Sequence, residues 1–188
     1  MPVPADSKTG LAAVTEAATA EGARGLPPVH LWHPAHCGDI DIVIRRDGTW
    51  LHENSPIGRA ELVRLFSTVL RKDPDGYCLV TPVEKLTIRV EDLPFRAVAV
   101  TEEDGTLTFT TDVGDTVEAG AEHPIRVDTD PDSGEPSPAL HVRGDLWARI
   151  VRPVFYELVE RGTVEGERLV IRTGGGAFSL GPVGTGGA

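Results

Sequence analysis

His30, Trp32, His33, His36, Cys37, Asp39 and Asp41 lie within a dozen residues of one another. Imidazole, thiol and carboxylate are the groups that hold zinc, pass protons and attack electrophiles. The spacing works against a metal centre. Pro34 and the prolines at 27 and 28 enforce an extended backbone, on which residues three apart point to opposite sides instead of stacking as on a helix. Satisfied polar side chains on a connecting segment are therefore expected. Cys37 beside His36 could pair a nucleophile with its base, but adjacent side chains diverge on a strand. A thiol or metal-dependent hydrolase using Cys37 and His36 is kept as the enzyme alternative, while Cys78, between Tyr77 and Leu79, reads as core.

A second pattern concerns anions. Lys85 and Arg89 are four apart in VEKLTIRVED, so a strand puts them on one face with Thr87 between, about 13 Å end to end at ~3.3 Å per residue. Such a face can hold two anionic groups, or an anion and a neighbouring carboxylate. Trp32 and Trp50 could offer flat surfaces to a ring, although packing is the commoner use of Trp. Other suggestive stretches fail on mechanism. In DTDPDSGEPSPA, Ala139 stands where a calcium loop needs its bidentate glutamate, so a solvated turn is expected. The glycines of GTGGGAFSLG and GPVGTGG lack a phosphate-loop lysine and its strand-to-helix setting.

The chain of 188 residues, 40% of them apolar, can bury one large core or two small ones. No run approaches the ~20 apolar residues of a membrane-spanning helix, and the opening lacks a basic start followed by an apolar stretch. With two cysteines, these features point to reduced thiols in the cytoplasm. The net charge of −11 argues against long nucleic acid. It is concentrated between Glu102 and Glu135, where Arg126 is the sole cation; elsewhere a local basic pocket remains compatible with the balance. The acidic segment also supports a third reading, a protein-interaction adaptor whose partner binding weakens steeply with salt.

Elements must position these residues. Residues 1–25 read as a mobile arm in which LAAVTEAATAEGA forms at most a short surface helix. DIDIVIRR alternates as a strand, Asp47-Gly48 marks a hairpin, TWLHENSPI is a second strand, and GRAELVRLFSTVLRK carries Leu62, Phe66, Val69 and Leu70 on one helical stripe. DPDG reads as the helix stop, followed by strands GYCLVTP and VEKLTIRVED. Then come a hairpin at Asp104-Gly105, strands HPIRVDTD and ALHVRGDLWARI, a helix starting near Arg152 because Pro153 suits a first turn, and strands GERLVIRT and AFSLG. The rival is one kinked helix from Asp145. Both halves thus repeat strand, strand, helix, strand, strand, which predicts an α+β fold of two small antiparallel sheet-plus-helix units.

The blocks PPVHLWHPAHCGDIDIVIRRDGTWLHENSPIGRAELVRLF, YCLVTPVEKLTIRVEDLPF and HVRGDLWARIVRPVFYELVE, in that order, resemble bacterial domain-of-unknown-function family 1285 from about Leu26 to Leu180. The resemblance implies a duplicated α+β core with units at 26–93 and 94–181, the second like a pleckstrin-homology-type barrel, and a tail from 182. It also implies a ligand site between the halves, for a nucleotide-like molecule in signalling. Carried onto this chain, the implied contacts are Trp32, His33, His36, Arg59, Glu84, Lys85 and Arg89, with Lys85 and Arg89 pairing an anion. They are ligand contacts and not catalysts, and no cofactor is expected. The leading expectation is a cytoplasmic module that binds a small anionic or nucleotide-like ligand.

Overall fold

The computed structural model describes residues 7–22 and 26–183. The chain divides into two compact units, one ending at Asp92 and the other beginning at Leu93. The N-terminal unit contains helix α1 (Ser7–Gly22), strands β1 (His36–Ile44), β2 (Trp50–His52) and β3 (Ser55–Pro56), helix α2 (Ala60–Thr68), and strands β4 (Leu70–Asp73), β5 (Gly76–Val80) and β6 (Glu84–Val90). The C-terminal unit contains β7 (Phe95–Glu103), β8 (Thr106–Thr111), β9 (Thr116–Glu118), β10 (Ile125–Thr129), β11 (Pro136–Arg143), β12 (Leu146–Ile150), α3 (Arg152–Arg161), β13 (Thr163–Glu165), β14 (Arg168–Thr173) and β15 (Gly176–Pro182).

Two sheet-plus-helix units are present, and their sheets share one topology. The first sheet runs β3-β2-β1-β6-β5-β4; the second, read from its far edge, runs β9-β8-β7-β12-β11-β10. Each is a pair of three-stranded meanders joined where the first strand of one lies beside the last strand of the other. That junction is parallel in both, β1 with β6 and β7 with β12, so the sheets are antiparallel apart from one central pair each. The repeat consequently begins at β1 and β7. The helix sits between the meanders in the first unit and after them in the second, which is why a match of strand and helix order alone places the second repeat at the wrong strand.

Several local expectations change for identifiable reasons. TWLHENSPI is a hairpin, since Glu53 and Asn54 both take positive φ (50° and 62°) and form a two-residue turn of the kind that matches strand twist. ALHVRGDLWARI likewise folds back at Gly144, φ 51°, into β11 and β12. Helix α2 ends at Thr68, and Leu70 pairs with Leu79 in the next hairpin, whose Asp73↔Gly76 closure makes DPDG a strand turn and not a helix stop. Pro153 lies in the first turn of α3, which excludes the kinked helix. Gly162 ends α3 with φ −68°, so its use is close packing: a Cβ there would lie 2.9 Å from Leu169 Cγ.

Residues 7–22 of the expected arm form α1, which packs against α2 and β1 through the fully buried Val14 and Ala18. The rest of that arm and residues 184–188 of the expected tail lie outside the described residues. Strand alternation builds the first core. Leu70, Leu79 and Leu86 stand in one cross-strand row and are buried with Ile42, Ile44 and Phe66. In the second unit the β7–β12 sheet curls into a half-barrel. Phe95, Phe109, Leu140 and Ile150 are buried there, as is Leu158 of α3.

The strands β13, β14 and β15 form a third sheet whose β14–β15 turn docks on the chain after β9. The buried Thr173 hydroxyl accepts the Leu107 N–H at 2.8 Å and donates to the Ala119 carbonyl at 3.0 Å, and β15 lies against β10. Among the described residues no helix is long and apolar enough to cross a membrane.

Candidate functional site

The face of the first sheet opposite its leucines is polar. Register places Arg71, Cys78, Thr87 and Asp39 in one row across β4, β5, β6 and β1, and Val80, Lys85 and Cys37 in the next. Arg71 organises this face. Its guanidinium forks onto Asp73, Nε to Oδ1 at 2.7 Å and Nη2 to Oδ2 at 2.8 Å, the bidentate geometry that suits arginine and carboxylate. Nη1 donates to the carbonyls of Val29 and Trp32 at 2.7 and 2.8 Å. One side chain thereby straps the short 3-10 turn Val29–Leu31 and the start of Trp32 to the β4–β5 hairpin.

Lys85 completes the network, with Nζ 2.8 Å from Asp73 and 3.0 Å from Asp75. These contacts move the proton equilibria in the directions charge pairing requires. The hydrogen bond from Arg71, followed by that from Lys85, holds the Asp73 carboxyl down at about 2 against desolvation, and the same carboxylate, with Asp75, raises Lys85. Burial pushes the Cys78 thiol up to about 11.

Asp73 gives a pH expectation. An unfolded Asp73 titrates near 3.8 and the folded one near 2, so the folded state binds protons less readily. Its contribution is present in full above about pH 4 and is lost as pH falls through 2. Once solvent screening is allowed for it is on the order of 1 kcal/mol. Urea unfolding of wild type and Asp73→Asn between pH 2 and pH 6 should show the variant's stability changing less over this window; equal slopes would contradict it.

The residues singled out from the sequence divide between two faces. Lys85 and Arg89 do share one, with Thr87 between, as the alternation of β6 requires. Arg89 is 73% exposed, and its Nη2 is 3.2 Å from Asp41. Glu84 has the parity of Leu86 and lies on the other face, where its Oε1 is buried without a hydrogen-bond partner. His36 pairs through its backbone with Glu84, and its side chain lies outside what is described. Trp32 is half-buried, His33 is exposed, and Arg59 is exposed at the N-terminus of α2. The exposed Cys37 thiol contacts the Pro34 carbonyl at 4.0 Å. No group of three or more metal-binding side chains occurs among the described residues.

Arg71 and Asp73 escaped the sequence reading because the expected helix ran through Arg71 and its expected stop, DPDG, contained Asp73. The available signal was the R-x-D spacing, which on a strand puts both on one face.

A second constellation lies in the C-terminal unit. The Arg126 guanidinium sits over the Trp147 ring at 4.1 Å, its Nε 3.2 Å from Asp128. His141 meets Trp147 edge-on at 5.2 Å, and His123 stacks on His141 at 5.4 Å. His141 Nε2 lies 2.6 Å from the Gly144 carbonyl, so this nitrogen carries the proton. These residues come from β10, β11, β12 and the loop before β10, and no local spacing announces them.

Comparison with known proteins follows the same division of the chain. Residues 27–93 match the family described as "Domain of unknown function (DUF1285), N-terminal domain", and residues 94–180 match "Protein of unknown function (DUF1285), C-terminal domain". A crystal structure of a DUF1285 family protein from Silicibacter pomeroyi DSS-3 is similar at 46% identity and TM-score 0.83, covering 90% of this chain and 95% of that one. A second, from Shewanella baltica OS155, is similar at 26% identity and TM-score 0.53, covering 63% of this chain and 90% of that one. No curated protein matches significantly.

Proposed function

The chain belongs to the DUF1285 family, and from that premise we propose that it is a binding module for a small anionic, nucleotide-like ligand whose occupancy serves as a signal. The ligand lies on the polar face of the β1–β6 sheet, with anionic groups on Lys85 and Arg89 and its ring against Trp32. His33, His36 and Arg59 are the further proposed contacts. Glu84, on the opposite face of β6, stands apart from them.

The observation that carries this reading is that Lys85 and Arg89 are each met by an exposed carboxylate that a ligand can replace. Asp75 beside Lys85 is 67% exposed and Asp41 beside Arg89 is 43% exposed, and exposed pairs of this kind are worth only ~0–1 kcal/mol. Displacing them therefore costs little, and Lys85 keeps Asp73 as a fixed support. Trp32 is linked to the same network through its carbonyl, Arg71 and Asp73.

A thermal-shift screen of nucleotides and small phosphates tests the proposal. A true ligand at about a hundredfold its Kd adds roughly 2.7 kcal/mol, or about 5–10 °C for a chain of this size. The double substitution Lys85→Glu and Arg89→Glu should abolish that gain while the unliganded protein remains folded by circular dichroism. Asp75→Asn should strengthen binding. A double variant stabilised as much as wild type, or no stabilisation by any phosphate tested, would overturn the reading.

A further inference from the structure

We propose that the C-terminal half-barrel carries a second site, for an oxyanion on a small molecule, built from Arg126, His123, His141 and Trp147. It is separate from the site proposed above. Arg126 is held in place before any ligand arrives. The indole of Trp147 supports its planar face at 4.1 Å, and Asp128 lies 3.2 Å from its Nε. Among the described residues its terminal Nη groups form no hydrogen bond, so the end of the fork that suits a carboxylate or phosphate is uncommitted. The side chain is 48% exposed. Immobilising an arginine in advance removes much of the ordering cost that a ligand would otherwise have to meet.

A stabilising cation–π contact accounts for Arg126 and Trp147 alone. It leaves the histidines unexplained. The Nδ1 atoms of both His123 and His141 are buried with no hydrogen-bond partner, in rings stacked on each other, with His141 edge-on to Trp147. Buried polar atoms in folded proteins are nearly always satisfied, and two unsatisfied imidazole nitrogens in one cluster indicate a missing polar partner. In His141 the Nε2 proton is already committed to the Gly144 carbonyl, so Nδ1 is a lone-pair acceptor, and it calls for a ligand that carries a hydroxyl beside its oxyanion.

The oxyanion could come from a phosphate ester or a carboxylate, and the test separates them. The full-length 15N-labelled protein is titrated with inorganic phosphate, phenyl phosphate and benzoate, following the Trp147 indole N–H resonance, which is assigned by its loss in Trp147→Phe. At least one of the three should shift it saturably. Phosphate probes shifting it identify a phosphate ester, and benzoate alone identifies a carboxylate. Arg126→Gln should weaken the binding about tenfold or more, and Asp128→Asn should tighten it by removing a competing carboxylate. Lys85→Glu with Arg89→Glu should leave this titration unchanged, which distinguishes failure here from failure of the N-terminal site. No saturable shift below roughly 50 mM of any probe, or an Arg126→Gln curve matching wild type, would overturn the proposal.

Discussion

Gly174→Ala is expected to destabilise the protein by about 3 kcal/mol or more, lowering its melting temperature by about 6–12 °C. Two penalties coincide at this residue. Its φ is +52°, and a Cβ would stand 2.5 Å from the Ala119 carbonyl oxygen and 3.2 Å from Gly120 Cα, both backbone atoms that cannot rotate away. The turn would have to lift off the chain after β9, and the neighbouring Thr173 hydroxyl would lose its bonds to Leu107 and Ala119, leaving buried polar groups worth ~1–3 kcal/mol each. Gly175 provides the control. It also has positive φ, +75°, but a Cβ there meets nothing within 4 Å, so Gly175→Ala should cost only about 1 kcal/mol. Equal losses at the two positions by thermal or urea unfolding would show that the docked turn contributes nothing beyond its backbone conformation.

The second large effect is expected at Arg71. Arg71→Met keeps much of the side-chain stem but removes the fork on Asp73 and the donor shared by the Val29 and Trp32 carbonyls. With the Arg71 side chain 17% exposed, the loss should be about 2–4 kcal/mol. The segment it straps should also loosen before the sheet does. Amide exchange at Leu31 and Trp32, whose N–H groups bond to Pro28 and Val29, should accelerate more than exchange in β5 or β6. Arg71→Lys should not restore it, because an ammonium cannot serve the carboxylate fork and both carbonyls in one planar geometry. Unfolding and exchange indistinguishable from wild type would remove the strap from the account of how Trp32 is held.

The two substitutions probe different kinds of closure. In the N-terminal unit a charged side chain fastens a segment that has little regular structure of its own. In the C-terminal unit a hydroxyl and a glycine fasten a hairpin through buried hydrogen bonds and backbone contact. The first should weaken as Asp73 is protonated, whereas the second has no titrating member.

Alternation along β1 and β6, the Asp-Gly turns at 47–48 and 104–105, and the proline at the start of α3 were all legible in the chain, because each depends on residues within a few positions of one another. So was the common face of Lys85 and Arg89, which follows from a period of two. The split of TWLHENSPI was not, since nothing but its turn residues, Glu53 and Asn54, distinguished a hairpin from a strand. The end of α2 was hidden for a related reason: Leu62, Phe66, Val69 and Leu70 fit a helical stripe, and the pairing of Leu70 with Leu79 overrides that local preference. The parallel pairs β1/β6 and β7/β12, the Arg71 strap and the cluster of Arg126, Trp147, His141 and His123 were decided by tertiary structure alone. Each joins segments far apart in the chain, and strand order, which no local periodicity encodes, determines which side chains become neighbours.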